Sequence, residues 1–165
     1  VCALKYSMRE ISYNKVLLLS DHKPFYLPRN ITFVKIERLK NVDDYSHFMV
    51  YDLYKYIDTE YALIIQHDGF VVNPQLWREE FLRYDYIGSP WREPLPEENR
   101  YRDIEGAICR VGNGGASLRS KALLELPTKQ QWEWKKNASG TYNEDCFICC
   151  DNKLVTHFYP PFVFV

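Results

Sequence analysis

The sequence predicts an α/β fold, a mostly parallel sheet with helices on both faces, and two patterns support this prediction. Segments with the composition of strands alternate with segments whose apolar residues recur at helical spacing. Residues 61–65 form a continuous apolar run, which suits a strand buried on both faces. With 46% hydrophobic and 26% charged residues, we expect residues 1–165 to form one globular domain.

Local patterns justify each element in order. The predicted strands are residues 15–20, 31–36, 61–65 and 84–88, and the predicted helices are residues 3–11, 43–56 and 74–82. Asp43 or Asp44 is the expected N-cap of the second helix. Residues 91–106 are polar, rich in Pro, Glu and Arg, and aperiodic, so they are either a lid over a site or a solvated surface loop.

Charge and cysteine content exclude several classes of protein. The net charge is −1, so no overall field favours nucleic acid as a partner, and no apolar run is long enough to be a membrane segment. The five cysteines are an odd number with three of them crowded into residues 146–150, which does not resemble a disulfide framework. We interpret them mostly as reduced, buried small hydrophobic residues.

The apolar run at 61–65 leads to the first candidate functional residue. The run ends at Ile65 and is followed by the polar residues Gln66, His67 and Asp68. In open α/β sheets, ligands usually bind in the crevice at the carboxyl ends of the parallel strands. Asp68 is therefore a candidate catalytic or ligand-binding residue. The alternative is that Asp68 and Gly69 only make a turn, because Asp-Gly is a strong turn dipeptide.

A glycine cluster at residues 111–120 is the second candidate. Glycines without a Cβ allow main chain to approach a phosphate or a sugar closely, so Gly114 and Gly115 are candidate ligand contacts together with Asn113. The spacing matches neither a P-loop nor a dinucleotide fingerprint. A tight structural turn is the alternative interpretation.

Two adjacent acids, Glu144 and Asp145, form the third candidate. Asn143 is the expected N-cap of the helix that follows, and acids in a first turn complement the helix dipole. A carboxylate facing a crevice could also act as a general base toward a hydroxyl group. The sequence leaves these two interpretations open.

Four motifs occur together in a fixed order. They are Gln-His-Asp-Gly at 66–69, Tyr-Asp-Tyr-Ile-Gly-Ser-Pro-Trp at 84–91, Val-Gly-Asn-Gly-Gly-Ala-Ser-Leu-Arg-Ser at 111–120 and Asn-Glu-Asp at 143–145. Together they resemble a largely uncharacterised family of glycosyltransferase-like domains. The resemblance implies a GT-A, Rossmann-like fold, a nucleotide-sugar donor such as a UDP-, GDP- or dTDP-sugar, and a glycan or other hydroxyl acceptor. It also implies a divalent metal, Mn²⁺ or Mg²⁺.

The resemblance assigns roles residue by residue. Asp68 matches the last acid of the D-x-D metal site, whereas Gln66 stands where the first acid would be. Asp145, with Glu144 as its substitute, matches the general base of inverting enzymes, and a carboxyl with an ordinary pKa would be ionised at neutral pH.

The remaining donor or substrate contacts complete this set of predictions. The resemblance makes Asn113, Gly114 and Gly115 donor or acceptor contacts, and His67 and Arg119 are candidate partners of the leaving diphosphate. Trp91 is the best candidate for an aromatic platform under a sugar. The family's leading strand is missing, so we expect a truncated domain. We therefore predict a hexosyltransferase-like enzyme in glycan biosynthesis, with a non-catalytic nucleotide-sugar or glycan binder as the alternative.

Overall fold

A computed structural model describes most of the chain as a mixed α/β domain. The described residues are 1–93, 95–96, 102, 105–108, 110, 112–136, 140 and 142–152. The helices are α1 (Cys2–Ser7), α2 (Val42–Tyr51), α3 (Lys121–Lys129) and α4 (Glu144–Cys146), and the strands are β1 (Leu17–Ser20), β2 (Thr32–Lys35), β3 (Tyr61–Ile65), β4 (Tyr86–Ser89) and β5 (Asn113–Ser120). A π-helical turn, Phe147–Asp151, continues α4. None of the described helices is long and apolar enough to cross a membrane.

The strands form two small sheets rather than one mostly parallel sheet. β1 pairs with β2 in parallel, and a second sheet has the order β3-β5-β4 with both pairings antiparallel. The prediction of a mostly parallel sheet was therefore wrong for the described strands. β3 and β4 do run in the same direction, but β5 lies between them and pairs with each in the opposite sense.

The physical reason for this error is the glycine cluster. Glycines in sequence usually indicate turns, yet Gly114 and Gly115 lie within β5, between the residues that pair with β3, from Tyr61↔Ser120 to Ile65↔Ala116, and the Ser89↔Asn113 pair with β4. The strand is pleated, so alternate β3 residues face opposite sides. Ala62 and Ile64 pack with α2 and α3, and Leu63 and Ile65 line a separate apolar groove.

Two local predictions of helix geometry also needed correction. Asn41 caps α2, because its Oδ1 accepts the Asp44 N–H at 2.8 Å, so neither Asp43 nor Asp44 is the cap. The predicted helix over residues 74–82 is two 3₁₀ turns, Pro74–Leu76 and Glu79–Arg83. Trp77 and Arg78 between them have extended ψ angles of 136° and 138°, which interrupt any continuous helix.

Several predicted features are confirmed. The Asn143 Oδ1 accepts the Cys146 N–H at 3.4 Å, as expected of an N-cap. Cys2, Cys146 and Cys149 are free thiols, and Cys146 and Cys150 are buried. Cys109 and half of the polar segment at 91–106 lie outside the described residues, so the choice between a lid and a surface loop stays open.

The core joins α2, α3 and the 144–151 helix to the antiparallel sheet. Its central cluster comprises Val50, Tyr86, Leu123, Phe147 and Ile148, each at most 3% exposed. Burying these side chains fixes the 144–151 helix against β4 and β5. The acids at the start of that helix are thereby held at the amino end of β5, opposite the turn that follows β3.

Candidate active site

An open cleft of about 680 Å³ lies where the turn after β3 meets the start of β5 and the start of α4. The residues that line it come from five places in the sequence. They are Val42, Tyr45, Gln66, His67, Asp68, Gly69, Ser89, Asn113, Gly114, Gly115, Ala116, Glu144 and Asp145. Residues from all three candidate segments thus share one cavity, although 76 positions separate Asp68 from Glu144 along the chain.

The turn that carries Asp68 is tied to β5 through main chain. The Gln66 N–H is shared between the carbonyl oxygens of Gly69 at 3.1 Å and Gly115 at 3.0 Å. A Cβ on Gly69 would lie 2.6 Å from the Gly115 oxygen, so only glycine fits there. The turn interpretation of Asp-Gly therefore holds, and the same turn leaves the Asp68 carboxylate 70% exposed at the cleft.

The two neighbouring glycines of β5 differ in what they face. A Cβ on Gly114 would fall on the Glu144 Oε1 and lie 2.6 Å from the Arg119 Nη2. A Cβ on Gly115 would meet nothing closer than the Gln66 Oε1 at 3.4 Å. Packing therefore requires a glycine at position 114. Gly115 instead exposes its main chain on the cleft wall, where one methyl group would fit.

Asp145 is a buried carboxyl with two main-chain partners. Its Oδ2 accepts the Gly114 N–H at 3.1 Å, and its Oδ1 accepts the Cys146 N–H at 2.8 Å. Burial and the neighbouring Glu144 raise the pKa of Asp145 to about 7, although both N–H groups and Arg119 oppose this rise. The expectation of an ordinary pKa was therefore wrong, because the sequence could not show that this carboxyl is 8% exposed.

Glu144 and Arg119 form a buried ion pair beside Asp145. The Arg119 Nη2 lies 3.2 Å from the Glu144 Oε1, and the two side chains are 0% and 7% exposed. Arg119 is also behind Gly114, so it does not line the cleft. The prediction that Arg119 contacts a donor directly was wrong for this structure, because the strand pleat turns its side chain into the interior.

Tyr45 is a cleft residue that the sequence did not single out. Tyr45 packs against the buried cluster of Met49, Leu53 and Leu124. Its hydroxyl also accepts a hydrogen bond from the Gln66 Nε2. Burial and Glu144 raise the pKa of Tyr45 to about 12, so the hydroxyl stays protonated at neutral pH. Only the tertiary pairing with Gln66 identifies it.

Comparison with known proteins assigns a family but no activity. The family model described as "Protein of unknown function (DUF5672)" matches residues 29–161, well over half of the chain. The chain belongs to the DUF5672 family. The match includes the cleft-lining residues from Val42 to Asp145. No curated protein and no solved structure gives a significant match.

Trp91 lies away from the cleft of this DUF5672 domain. Trp91 is 5% exposed and packs against Cys146 and Cys150, and its main-chain N–H donates to the Arg110 carbonyl at 3.0 Å. The prediction of a sugar platform was therefore wrong for this conformation. Aromatic character alone gave the prediction, and aromatic rings are as suited to a core as to a sugar face.

Asp68 is the one exposed carboxylate among the described residues that line the DUF5672 cleft. Among the described residues, no group of three or more His, Cys, Asp or Glu side chains is placed to hold a metal ion. Glu144 is paired with Arg119, and both Glu144 and Asp145 are buried. Asp68 therefore fits a shared site, in which substrate phosphates supply further oxygens, and not a site built by protein alone.

Proposed function

We propose that this domain transfers a sugar from a nucleotide-sugar donor to a hydroxyl acceptor, with inversion at the anomeric carbon and a GT-A type of active site. The observation that supports this proposal best is that Asp68 and Asp145 line one cleft. In such a reaction an exposed acid can hold a divalent metal together with the donor phosphates, and a second acid can take the proton of the acceptor hydroxyl. The motifs resembling glycosyltransferase-like domains point to the same chemistry.

Asp145 supplies the base in this proposal. It takes the proton of the acceptor hydroxyl, the acceptor oxygen bonds to the anomeric carbon, and the bond from that carbon to the diphosphate breaks with its electron pair leaving on the diphosphate. A pKa of about 7 suits this role, because a base works best when its pKa lies near the operating pH. Each carboxylate oxygen accepts one N–H group, which leaves acceptor capacity for the substrate proton.

The leaving diphosphate requires positive charge, and the described cleft wall offers little of it. Arg119 is fully buried and committed to Glu144, whereas His67 is exposed beside Asp68. Asp68 would hold Mn²⁺ or Mg²⁺ together with diphosphate oxygens, and the ion would neutralise the charge that develops there. Main-chain atoms of Asn113 and Gly115 would lie against the donor.

A thermal-shift series tests the donor site. The wild type, Asp68→Ala and Asp58→Ala are each melted with UDP, GDP, dTDP and CDP, with and without Mn²⁺. Asp58 is the matched control because it is an exposed acid, paired with Lys15, that does not line the cleft. A nucleotide at ~100 times its Kd adds about 2.7 kcal/mol, which raises Tm by roughly 5 to 10 °C.

We expect one nucleotide to shift the wild type and Asp58→Ala only when Mn²⁺ is present, and to leave Asp68→Ala unchanged. A shift that is independent of Mn²⁺ and survives in Asp68→Ala would remove the metal from the proposal. No shift with any nucleotide would refute the donor site itself.

The second candidate function is a non-catalytic nucleotide-sugar or glycan binder. One observation favours it, because an amide, Gln66, stands in the position of the first D-x-D acid and is engaged with Tyr45. The two functions differ in turnover. A transferase releases nucleoside diphosphate from the preferred donor at a rate that Asp145→Asn abolishes without loss of nucleotide binding. A binder shows the same thermal shift and no release.

A further inference from the structure

Arg119 is the most buried charged side chain of the described residues, and its guanidinium contacts three elements. Its Nε donates to the Ser117 Oγ at 3.0 Å within β5. Its Nη2 donates to the Glu144 Oε1 at 3.2 Å on α4 and to the Tyr86 hydroxyl at 3.4 Å on β4. The guanidinium carbon also lies 4.9 Å from the centre of the Tyr86 ring. One side chain thus links the strand, the helix and the neighbouring strand.

A first chain of hydrogen bonds leads from Arg119 to Asp145 through β5. The Ser117 Oγ accepts from Arg119 and donates to the Gly114 carbonyl oxygen at 3.1 Å. The Gly114 N–H in turn donates to the Asp145 Oδ2 at 3.1 Å. All four residues are buried, so water does not compete for these bonds. The position of the Gly114 amide, and with it the Asp145 carboxyl, therefore depends on Arg119.

A second route is electrostatic and passes through Glu144. Among the described residues, five titratable or charged groups surround Asp145: Glu144 on its own helix, Cys149 on the π-helical turn, Arg119 on β5, Tyr45 on α2 and Tyr86 on β4. Asp68 and His67 lie on the opposite wall of the cleft. Arg119 is the cation that acts on both buried acids. Without it, two neighbouring carboxyls would share a water-poor site, and both could not ionise there.

We propose that Arg119 is the positioning residue of Asp145, holding the carboxyl through Ser117 and Gly114 and balancing its charge through Glu144. This role rests on the proposed function in so far as Asp145 is the general base. It also replaces direct donor contact as the role of Arg119. Hydrogen bonds between the Asp145 carboxyl and β5, the strand that would face the sugar, would keep the carboxyl in a fixed position while substrates enter and leave.

Two solution measurements on the full chain test this inference without any substrate. The first is the titration of the Asp145 carboxyl, followed by ¹³C NMR and assigned with Asp145→Asn. The second is the hydrogen-exchange rate of the Gly114 amide. Both are applied to the wild type, Arg119→Met, Arg119→Lys and Ser117→Ala. Arg38→Met is the control, because Arg38 is an exposed arginine outside the cleft.

Each variant has a distinct expected result. Arg119→Met raises the titration midpoint of Asp145 and speeds Gly114 exchange. Arg119→Lys keeps the charge but loses the forked guanidinium. The exchange rate of the Gly114 amide therefore rises about tenfold, while the titration midpoint of Asp145 moves less than in Arg119→Met. Ser117→Ala leaves the charges in place and also speeds Gly114 exchange about tenfold. Arg38→Met changes neither quantity.

The inference would be overturned if the Gly114 amide exchanged at the wild-type rate in both Arg119→Lys and Ser117→Ala. It would also be overturned if the titration midpoint of Asp145 did not move in Arg119→Met. If Arg119→Met does not fold, the other two variants still decide the hydrogen-bond route. Failure of every nucleotide to bind would refute the proposed function instead, because neither measurement depends on a ligand.

Discussion

At the scale of the residue, Asp145 shows how burial changes what a carboxyl can do. The same side chain at a solvated helix start would be ionised at neutral pH and would serve only the helix dipole. Here burial and Glu144 raise its pKa to about 7, so its charge changes within the physiological range. A raised pKa of this kind is common among groups at functional sites and is consistent with the role of general base proposed for Asp145.

The raised pKa of Asp145 predicts a specific dependence of stability on pH. A carboxyl whose pKa is higher in the folded chain than its ordinary value of 3.8 stabilises the fold below that value, and this contribution is lost as the pH rises through about 7. We expect the free energy of unfolding of the wild type, relative to Asp145→Asn, to fall by more than about 1 kcal/mol between pH 5 and pH 8.

Urea unfolding of both proteins at several pH values measures this difference. Titrating groups that do not interact with Asp145, including Asp151, whose pKa is raised to about 6 by burial, cancel between the two proteins. A difference that stays constant from pH 5 to pH 8 would show that Asp145 titrates outside that range.

At the scale of the element, β5 combines structural and ligand-facing positions in one strand. Gly114 touches the ion pair between Arg119 and Glu144, and the next residue, Gly115, faces the cleft. Ser120 ends the strand and caps α3, where its hydroxyl accepts the Leu123 N–H at 3.1 Å. The strand thus fixes the cleft floor at one end and starts a core helix at the other.

The two glycines of β5 form a matched pair for mutagenesis. Gly114→Ala drives a methyl group into the Glu144–Arg119 pair, so we expect a loss of stability of at least about 2 kcal/mol. Gly115→Ala meets no contact under 3.4 Å, so its stability should change by less than about 1 kcal/mol, while nucleotide binding weakens.

Thermal unfolding with and without the preferred nucleotide separates the two effects. Equal destabilisation by both substitutions would show that Gly115 is also packed. Unchanged nucleotide affinity in Gly115→Ala would place the ligand away from this wall of the cleft.

At the scale of the whole molecule, one core supports the site from behind. Leu123 on α3, Val50 on α2 and Phe147 next to α4 share a cluster with Tyr86, the residue that also contacts Arg119. The opposite face of β3 borders an apolar groove of about 320 Å³ flanked by Trp77 and Phe81. The two faces of the antiparallel sheet are therefore packed to different degrees.

This asymmetry predicts different costs for two leucine truncations. Leu123→Ala should lower the free energy of unfolding by roughly 2 to 5 kcal/mol, because Leu123 is 1% exposed in the central cluster. Leu76→Ala should change it by about 0.5 kcal/mol or less, because Leu76 is 62% exposed. Urea unfolding with m-values measures the change in the free energy of unfolding for both variants. A large loss of stability in Leu76→Ala would mean that another surface covers the groove in solution.

The sequence was most informative about local features with a single physical cause. Residues 61–65 were correctly predicted as a strand, and Asn143 was correctly predicted as a cap, because the apolar run and the short polar side chain have few alternatives. The three candidate segments were recognised separately, and the glycine cluster was taken as a possible turn although it is a strand. Close approach of neighbouring side chains, rather than positive φ, is what requires glycine at position 114, whereas Gly115 has neither positive φ nor a contact under 3.4 Å.

The sequence by itself therefore determined the α/β class, the strand that leads to Asp68 and the acids that begin α4. The tertiary structure alone decided that β5 enters the sheet antiparallel, that Trp91 and Arg119 face the interior, and that Asp145 has a raised pKa. The reason is that propensity and capping act between residues close in the chain. Burial and charge coupling instead arise between residues far apart, and no pattern in one sequence records those distances.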